Sequence, residues 1–354
     1  MIVHQWLPAA HRGDAVGDHA RAMRDRLRGW GHEAEVFAMH VDDDLTGDVW
    51  PWSDPGARRG DVTILHFAVP SPMTAALATL PGARVVHYHN VTPARFFAPF
   101  DAGIARLAAQ GRRELATLAG AVDLALGVSE YNRRELDALG FRDTGVLPIA
   151  VDAARLRAAP PVPALERLLQ DGLANILFVG RIAPNKKIED HVRLAEQFKR
   201  YVDSDYRFIF VGRSDAVPGY YAAVRGLIAE FQMLPDRFWF TGPVPDAELA
   251  TYYRHAHAYV SLSEHEGFCV PIVEAMTMDV PVLAYAAAAV PETMGGAGLA
   301  FAPKDLEYAA ELLGSLIYDL EVRDAVIAGQ RRRAGAFGPD RVAPVLHSVI
   351  EELS

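Results

Sequence analysis

The sequence predicts an α/β protein made of two doubly wound domains, each a parallel sheet wrapped by helices. Three observations predict it. Short β-type runs alternate with helical stretches along the whole chain. The runs, such as IVHQWL, VTILHF, ANILFVG and YRFIFVG, are nearly all apolar, as parallel strands covered on both faces are. The pattern lapses at AARLRAAPPVPALE, residues 153–166, and then restarts, and 354 residues exceed what one core of about 250–300 residues holds.

In chain order, IVHQWL, AEVFAM, VTILHF, RVVHYH and LALGV read as the strands of the first half. Amphipathic helices at His19–Trp30 and Ile104–Leu118 fall between them. After the seam come ANILFVG, YRFIFVG, RFWFTG, AYVSLS and VPVLAY. The tail FGPDRVAPVLHSVIEEL, from Phe337, breaks at Gly-Pro and then reads as a helix suited to lie over the first domain. The expected division is 1–152, 153–336 and a returning helix at 337–354. A ligand is expected in the cleft between the domains, at the carboxyl ends of the strands.

Hydrophobic residues make up 51% and charged residues 23%, the balance of a folded globular chain. The net charge of −10 argues against a nucleic-acid partner, so an anionic ligand needs a local cationic site. One cysteine, Cys269, allows no internal disulfide and no cysteine-cluster zinc site, which fits a reducing cytoplasm. A strand-like run directly follows Met1, and prolines break the longest apolar stretch, from Val280, so neither a signal peptide nor a membrane span is expected. The helix HARAMRDRLRGWG, with Arg21, Arg24, Arg26 and Arg28, reads as a solvated face, with peripheral membrane contact as the weaker alternative.

Three stretches could carry chemistry. In FVGRIAPNKK a strand ends at Gly180, and Arg181 and Lys186 then offer a planar fork and a point charge to a diphosphate. Only four lysines occur in the chain, and Lys186 and Lys187 are neighbours. In SLSEHEGFCVPIVEAM, seven residues separate Glu266 in a loop from Glu274 in the first turns of a helix. In HRGDAVGDHA, Gly13 and Gly17 follow the first strand where a glycine loop could approach a phosphate or sugar. Neither the G-x-G-x-x-G fingerprint nor the phosphate-binding P-loop motif is present, which disfavours a nicotinamide dehydrogenase.

These pieces, in this order, resemble the family 4 glycosyltransferases, nucleotide-sugar enzymes of the GT-B fold with two facing Rossmann-like domains. The resemblance runs from Gly13 through GWGHEAEVF, VHYHN, LGVSEYNRREL and VGRIAPNKK to FTGPVPDAELATYYRHAHAYVSLS, EHEGFCVPIVEAM and VPETMGGAGLAF, and is densest over residues 176–302. It implies that Arg181 and Lys186 clamp the donor diphosphate and that Glu274 accepts the ribose hydroxyls. It places Glu266 against the transferred sugar, with the amides of Gly267, Phe268 and Cys269 at its hydroxyls. His89 would face the sugar from the first domain, and Gly13 and its neighbours would lie near the phosphates. Gly13-Asp14 and Gly17-Asp18 compete for the glycine-loop role. The chain departs from the family in having Cys269 for a usual glycine, PIAVD at residues 148–152 and AAAAVPE before the next helix.

The implied reaction moves a sugar from a UDP-, GDP- or dTDP-sugar to an acceptor hydroxyl on a glycan, lipid or natural product, with retention of configuration. Fixed cations would meet the charge growing on the leaving phosphate, so no metal and no cofactor is required. A sugar-nucleotide epimerase of the same fold and an inactive nucleotide-sugar-binding protein are the alternatives. Elsewhere, His66 and His87 at strand ends read as ordinary hydrogen-bonding residues, and Cys269 as a packing residue rather than a nucleophile. The run Asp42, Asp43, Asp44 reads as a polar loop rather than a metal site. Lys187 is expected to point away from Lys186 along an exposed turn.

Overall fold

The computed structural model describes residues 1–11 and 13–353. It divides into two compact units, one of Met1–Ala98, Ala102–Ala150 and Pro339–Ser354, the other of Pro99–Asp101 and Val151–Gly338.

The first unit holds a seven-stranded sheet: β1 (Ile2–Ala10), β2 (Glu33–Val41), β3 (Trp50–Pro51), β4 (Val62–Phe67), β5 (Ala83–Tyr88), β6 (Leu124–Gly127) and β7 (Thr144–Val146). Their order is β3-β2-β1-β4-β5-β6-β7, and every pairing is parallel. The second unit holds β8 (Ala174–Val179), β9 (Tyr206–Val211), β10 (Phe238–Gly242), β11 (Ala258–Ser261), β12 (Val282–Tyr285) and β13 (Leu299–Phe301) in the order β10-β9-β8-β11-β12-β13, again all parallel. The ten predicted strands are all present. Three more, β3, β7 and β13, are edge strands of two or three residues, too short to leave an apolar run.

Strand order reverses direction between β1 and β4 in one sheet and between β8 and β11 in the other. At such a point the connections leave toward opposite sides, and the carboxyl ends of the two strands open a crevice.

Local signals agree with this topology. Asp14 caps the helix Ala15–Gly29 by accepting from the Gly17 amide at 3.1 Å, and Ser129 caps Glu130–Ala138 through the Asn132 amide at 3.2 Å. The helix Pro339–Glu352 buries Val342, Leu346, Val349 and Ile350 in the first unit's core with Val3, Met23 and Leu27. In the second sheet, Arg207 on β9 is almost fully buried. Its guanidinium meets Asp171 at 2.6 Å and Asn175 Oδ1 at 3.1 Å, and lies over the Trp239 ring at 4.0 Å, so its charge is both paired and hydrogen-bonded.

The apolar residues of the helix Ala15–Gly29 turn inward. Its Ala20, Met23 and Leu27 are buried in the unit, and its arginines are ion-paired. Arg21 meets Asp18 and Asp48, Arg24 meets Asp25 and Asp48, Arg26 meets Asp340, and Arg28 meets Glu35. Among the described residues no helix is long and apolar enough to cross a bilayer.

Candidate active site

The site in the second unit forms at the β8/β11 switch point. Gly180 ends β8 with its amide donating to Val211 O at 2.8 Å. Its carbonyl lies so near Gly212, which has φ +139°, that a Cβ there would sit 2.2 Å from that oxygen. Glycine at 212 is therefore what lets the chain after β8 run close against β9. Arg181 follows, exposed and with no ion-pair partner among the described residues. A 3₁₀ turn, Pro184–Lys186, then leads into the helix Ile188–Tyr201, whose first amide is capped by the Tyr220 hydroxyl at 2.6 Å.

Because β11 lies beside β8, the loop after it meets this turn, although the two are about eighty residues apart in sequence. Asn185 joins them twice: its carbonyl accepts from the Glu264 amide at 2.9 Å, and its Nδ2 donates to His265 O at 3.0 Å. That contact brings Lys186 to Glu266, and Nζ donates to both carboxylate oxygens, at 2.5 and 2.7 Å. The Glu266 side chain is 8% exposed and that of Lys186 19%, so the pair is largely withdrawn from water and screened little by salt. Lys186 keeps a third N–H for an incoming anion.

Lys187 does not point away along an exposed turn. It adopts the left-handed conformation at φ 54° and carries its half-buried ammonium toward Glu189 and Glu264, at 3.4 and 3.6 Å. Lys304 completes the set, donating to Asp190 and Glu264 at 2.9 Å and to Leu262 O at 3.0 Å, over the Tyr285 ring. Three of the four lysines thus hold the segment that carries Glu266.

Beyond Glu266, Gly267, Phe268 and Cys269 are buried and lead into the helix Val270–Thr277. Cys269 caps that helix at φ 71°, a left-handed conformation that favours glycine, so the thiol side chain is accommodated there at some conformational cost. Burial pushes its thiol up to about 12, which leaves it a neutral lining group at neutral pH. Glu274 lies in the helix, half-buried, and accepts from the Tyr253 hydroxyl at 3.0 Å.

In the first unit, Gly13 lies in the turn after β1 at φ 75°, with open space around it, whereas Gly17 is buried in the first turn of the helix Ala15–Gly29. Of the two competing glycines, Gly13 therefore has the loop position. His89 is half-buried just after β5, its Nε2 2.9 Å from His66 Nδ1. Asp42 pairs with His11 at 2.8 Å and opens the 3₁₀ turn Asp43–Leu45.

Residues 166–333 match the family model described as glycosyl transferases group 1. They span all the second-unit site residues. This stretch is similar to the group 1 glycosyl transferases, and the two parallel sheets have the GT-B fold. The chain is 30% identical over 266 residues to the 2-deoxystreptamine glucosyltransferase of Streptomyces kanamyceticus, covering 74% of this chain and 62% of that protein. It is 28% identical over 199 residues to the O-antigen chain mannosyltransferase B of Escherichia coli, covering 54% and 51%. The chain thus spans between about half and two thirds of these curated relatives. Its fold is that of HepE from Anabaena, solved in complex with UDP-glucose, at TM-score 0.77 and 18% identity over 99% of this chain and 100% of that one.

Within residues 166–333, the sequence motifs pick out Arg181, Lys186, Glu266 and Glu274 but not their supports. Tyr253, Lys304 and Asn185 hold Glu274, the Glu264 segment and the two loops respectively. The asparagine alone had a local signal, its place in the P-N-K-K turn.

Proposed function

We propose that the chain transfers a sugar from a nucleotide diphosphate sugar to an acceptor hydroxyl, with retention of configuration and without a divalent metal. The observation that carries this reading is the pairing of Lys186 with Glu266 at the β8/β11 switch point, five residues after Arg181, whose exposed fork has no ion-pair partner among the described residues. The diphosphate meets Arg181 and the third N–H of Lys186, where negative charge grows as the anomeric bond to phosphate stretches. Fixed donors at that position lower the barrier without having to reorganise. Glu266 holds Lys186 in place and faces the sugar, and Glu274, steadied by Tyr253, accepts the ribose hydroxyls. The departing phosphate takes the acceptor proton on the same face, which gives retention.

A panel of UDP-, GDP- and dTDP-sugars, scored for release of the nucleoside diphosphate with and without candidate acceptors, tests the reading. Retention is read from the product anomer by NMR. Acceptor-independent accumulation of a free epimerised sugar nucleotide would sink the proposal. Transfer by protein dialysed against chelator should also gain less than about threefold from added Mg²⁺ or Mn²⁺, hard cations that would otherwise bridge the diphosphate. A requirement for either ion removes the metal-free step.

Glu274→Ala should weaken binding of the nucleoside diphosphate alone by about 10–100-fold, since hydrogen bonds to a charged group contribute roughly 1.5–3 kcal/mol in the ground state. Tyr253→Phe should do the same more mildly. Calorimetry with nucleotide and no acceptor reads both, and unchanged affinity in Glu274→Ala would discard the ribose role.

A further inference from the structure

The first unit contains a group of imidazoles of which the implied transfer reaction uses only His89. The register of β4 on β5 sets His66 opposite His87, and the two-residue period of a strand puts His89 on the same face as His87. The helix Ala15–Gly29 lays His19 over that face, its ring 6.1, 5.3 and 6.0 Å from those of His66, His87 and His89. No carboxylate hydrogen-bonds these rings among the described contacts.

Hydrogen bonding fixes most of their protons. Gln5 donates to Ala20 O at 2.9 Å, so its Oε1 accepts from His66 Nε2–H at 2.8 Å, leaving Nδ1 of His66 a lone pair. His89 Nε2–H then donates to it at 2.9 Å. His87 Nε2–H donates to Leu147 O at 2.9 Å. What remains are buried nitrogens without a partner among the described residues: Nδ1 of His87, Nδ1 of His89 and both nitrogens of His19, the His87 and His19 rings being 0% and 3% exposed. Buried polar atoms are ordinarily paired, so a concentration of lone pairs here points to a Lewis acid.

We propose that His66, His87 and His89 bind a divalent cation of the zinc or cobalt class, with His19 beside it as a fourth imidazole. One ring nitrogen from each of the three lies within 4.8 Å of the others, and the 2.9 Å between His66 Nδ1 and His89 Nε2, bridged by a proton, would open to roughly 3.3 Å between adjacent ligands of a tetrahedral site with metal–nitrogen bonds of about 2.0–2.1 Å. Two ligands already have the outer N–H partner that metal-bound histidines keep, His66 on Gln5 and His87 on Leu147 O. On loading, the Nε2 proton of His89 moves to its unpartnered Nδ1, so no net proton is released. An all-imidazole set favours borderline cations over Mg²⁺ or Ca²⁺, which require oxygen ligands. The site claims His89, which the family resemblance had set facing the sugar, so a bound cation would hold that ring within the cluster.

The test uses the full chain without a polyhistidine tag, stripped with chelator and titrated with Co²⁺. Expected are visible d–d bands of a tetrahedral nitrogen site saturating at one equivalent, their loss on adding Zn²⁺, and a rise in thermal midpoint with either ion. Gln5→Leu should weaken Co²⁺ binding by about 10–100-fold, as loss of an outer hydrogen bond to a ligand does, and His87→Phe should abolish the bands. His347→Ala, on the exposed face of the helix Pro339–Glu352, should change nothing. Absence of bands in the wild-type protein, which needs no variant to fold, overturns the proposal, as does a spectrum that survives in folded His87→Phe. Nucleotide release is not a readout, so this result and that of the donor panel are independent.

Discussion

Lys186→Ala is expected to lower turnover by roughly 10²–10³-fold while weakening donor binding far less, the effect of deleting one fixed donor from a developing oxyanion. It should also destabilise the second unit. Glu266, 8% exposed at its side chain, would be left charged and unpaired, a loss on the order of 3–5 kcal/mol. The two effects separate in the double variant Lys186→Met/Glu266→Gln, which removes both charges and should recover most of the stability but none of the turnover. Arg181→Lys should also be costly to turnover, because an ammonium cannot reproduce the planar fork. The control is Lys199→Ala, at an exposed position on the helix Ile188–Tyr201. Lys187 is not a suitable control, since it pairs with Glu189 and Glu264. Single-turnover kinetics beside denaturant unfolding read both quantities, and full activity in Lys186→Ala would remove the diphosphate role.

Acid is expected to unfold the first unit between about pH 5.5 and 4, above the range in which its depressed carboxylates lose their charge. Burial holds His19, His66 and His89 well below 6.5, and it holds His87 down at about 4. Neighbouring imidazoles add to the depression in His19, His66 and His89. In the unfolded chain each of these rings titrates near its ordinary 6.5, so below that pH the unfolded state binds more protons and stability falls as pH falls. Each ring contributes about 1.4 kcal/mol per pH unit until its folded form also protonates. Four such rings exhaust a typical net stability of about 5–15 kcal/mol within one to three pH units. The second unit has a similar group in His191, lowered to about 4 chiefly by burial, and should outlast the first. Depressed carboxylates such as Asp48 and Asp123 lose their stabilisation only below about pH 4, so the windows are distinct. Denaturant midpoints at pH 7 and pH 5, with chelator present so that no cation competes with protons, measure this. Equal midpoints would show that the four rings are not buried and neutral together.

The chain by itself determined the fold class and most of the strands, because a parallel strand covered on both faces must be apolar throughout, and that requirement is written locally. It also marked the chemical groups gathered at the candidate site of the second unit. A strand-end glycine followed by Arg181 and Lys186, and Glu266 and Glu274 flanking a helix start, are short motifs whose spacing survives without knowledge of the rest. The edge strands β3, β7 and β13 left too few residues to show any period. What only the tertiary structure decided is adjacency. Lys186 meets Glu266 because β8 and β11 are sheet neighbours, although β9 and β10 come between them in the chain. Lys187 turns toward Glu264 for the same reason, against the expectation drawn from its place in the turn. His66 and His87 looked like separate strand-end histidines, His89 like a residue facing the sugar, and His19 like one residue of a helix face. A strand register and one helix packed over the sheet made them a single cluster, since whether a buried imidazole finds a partner depends on which chains lie beside it, and that is not encoded at the residue itself.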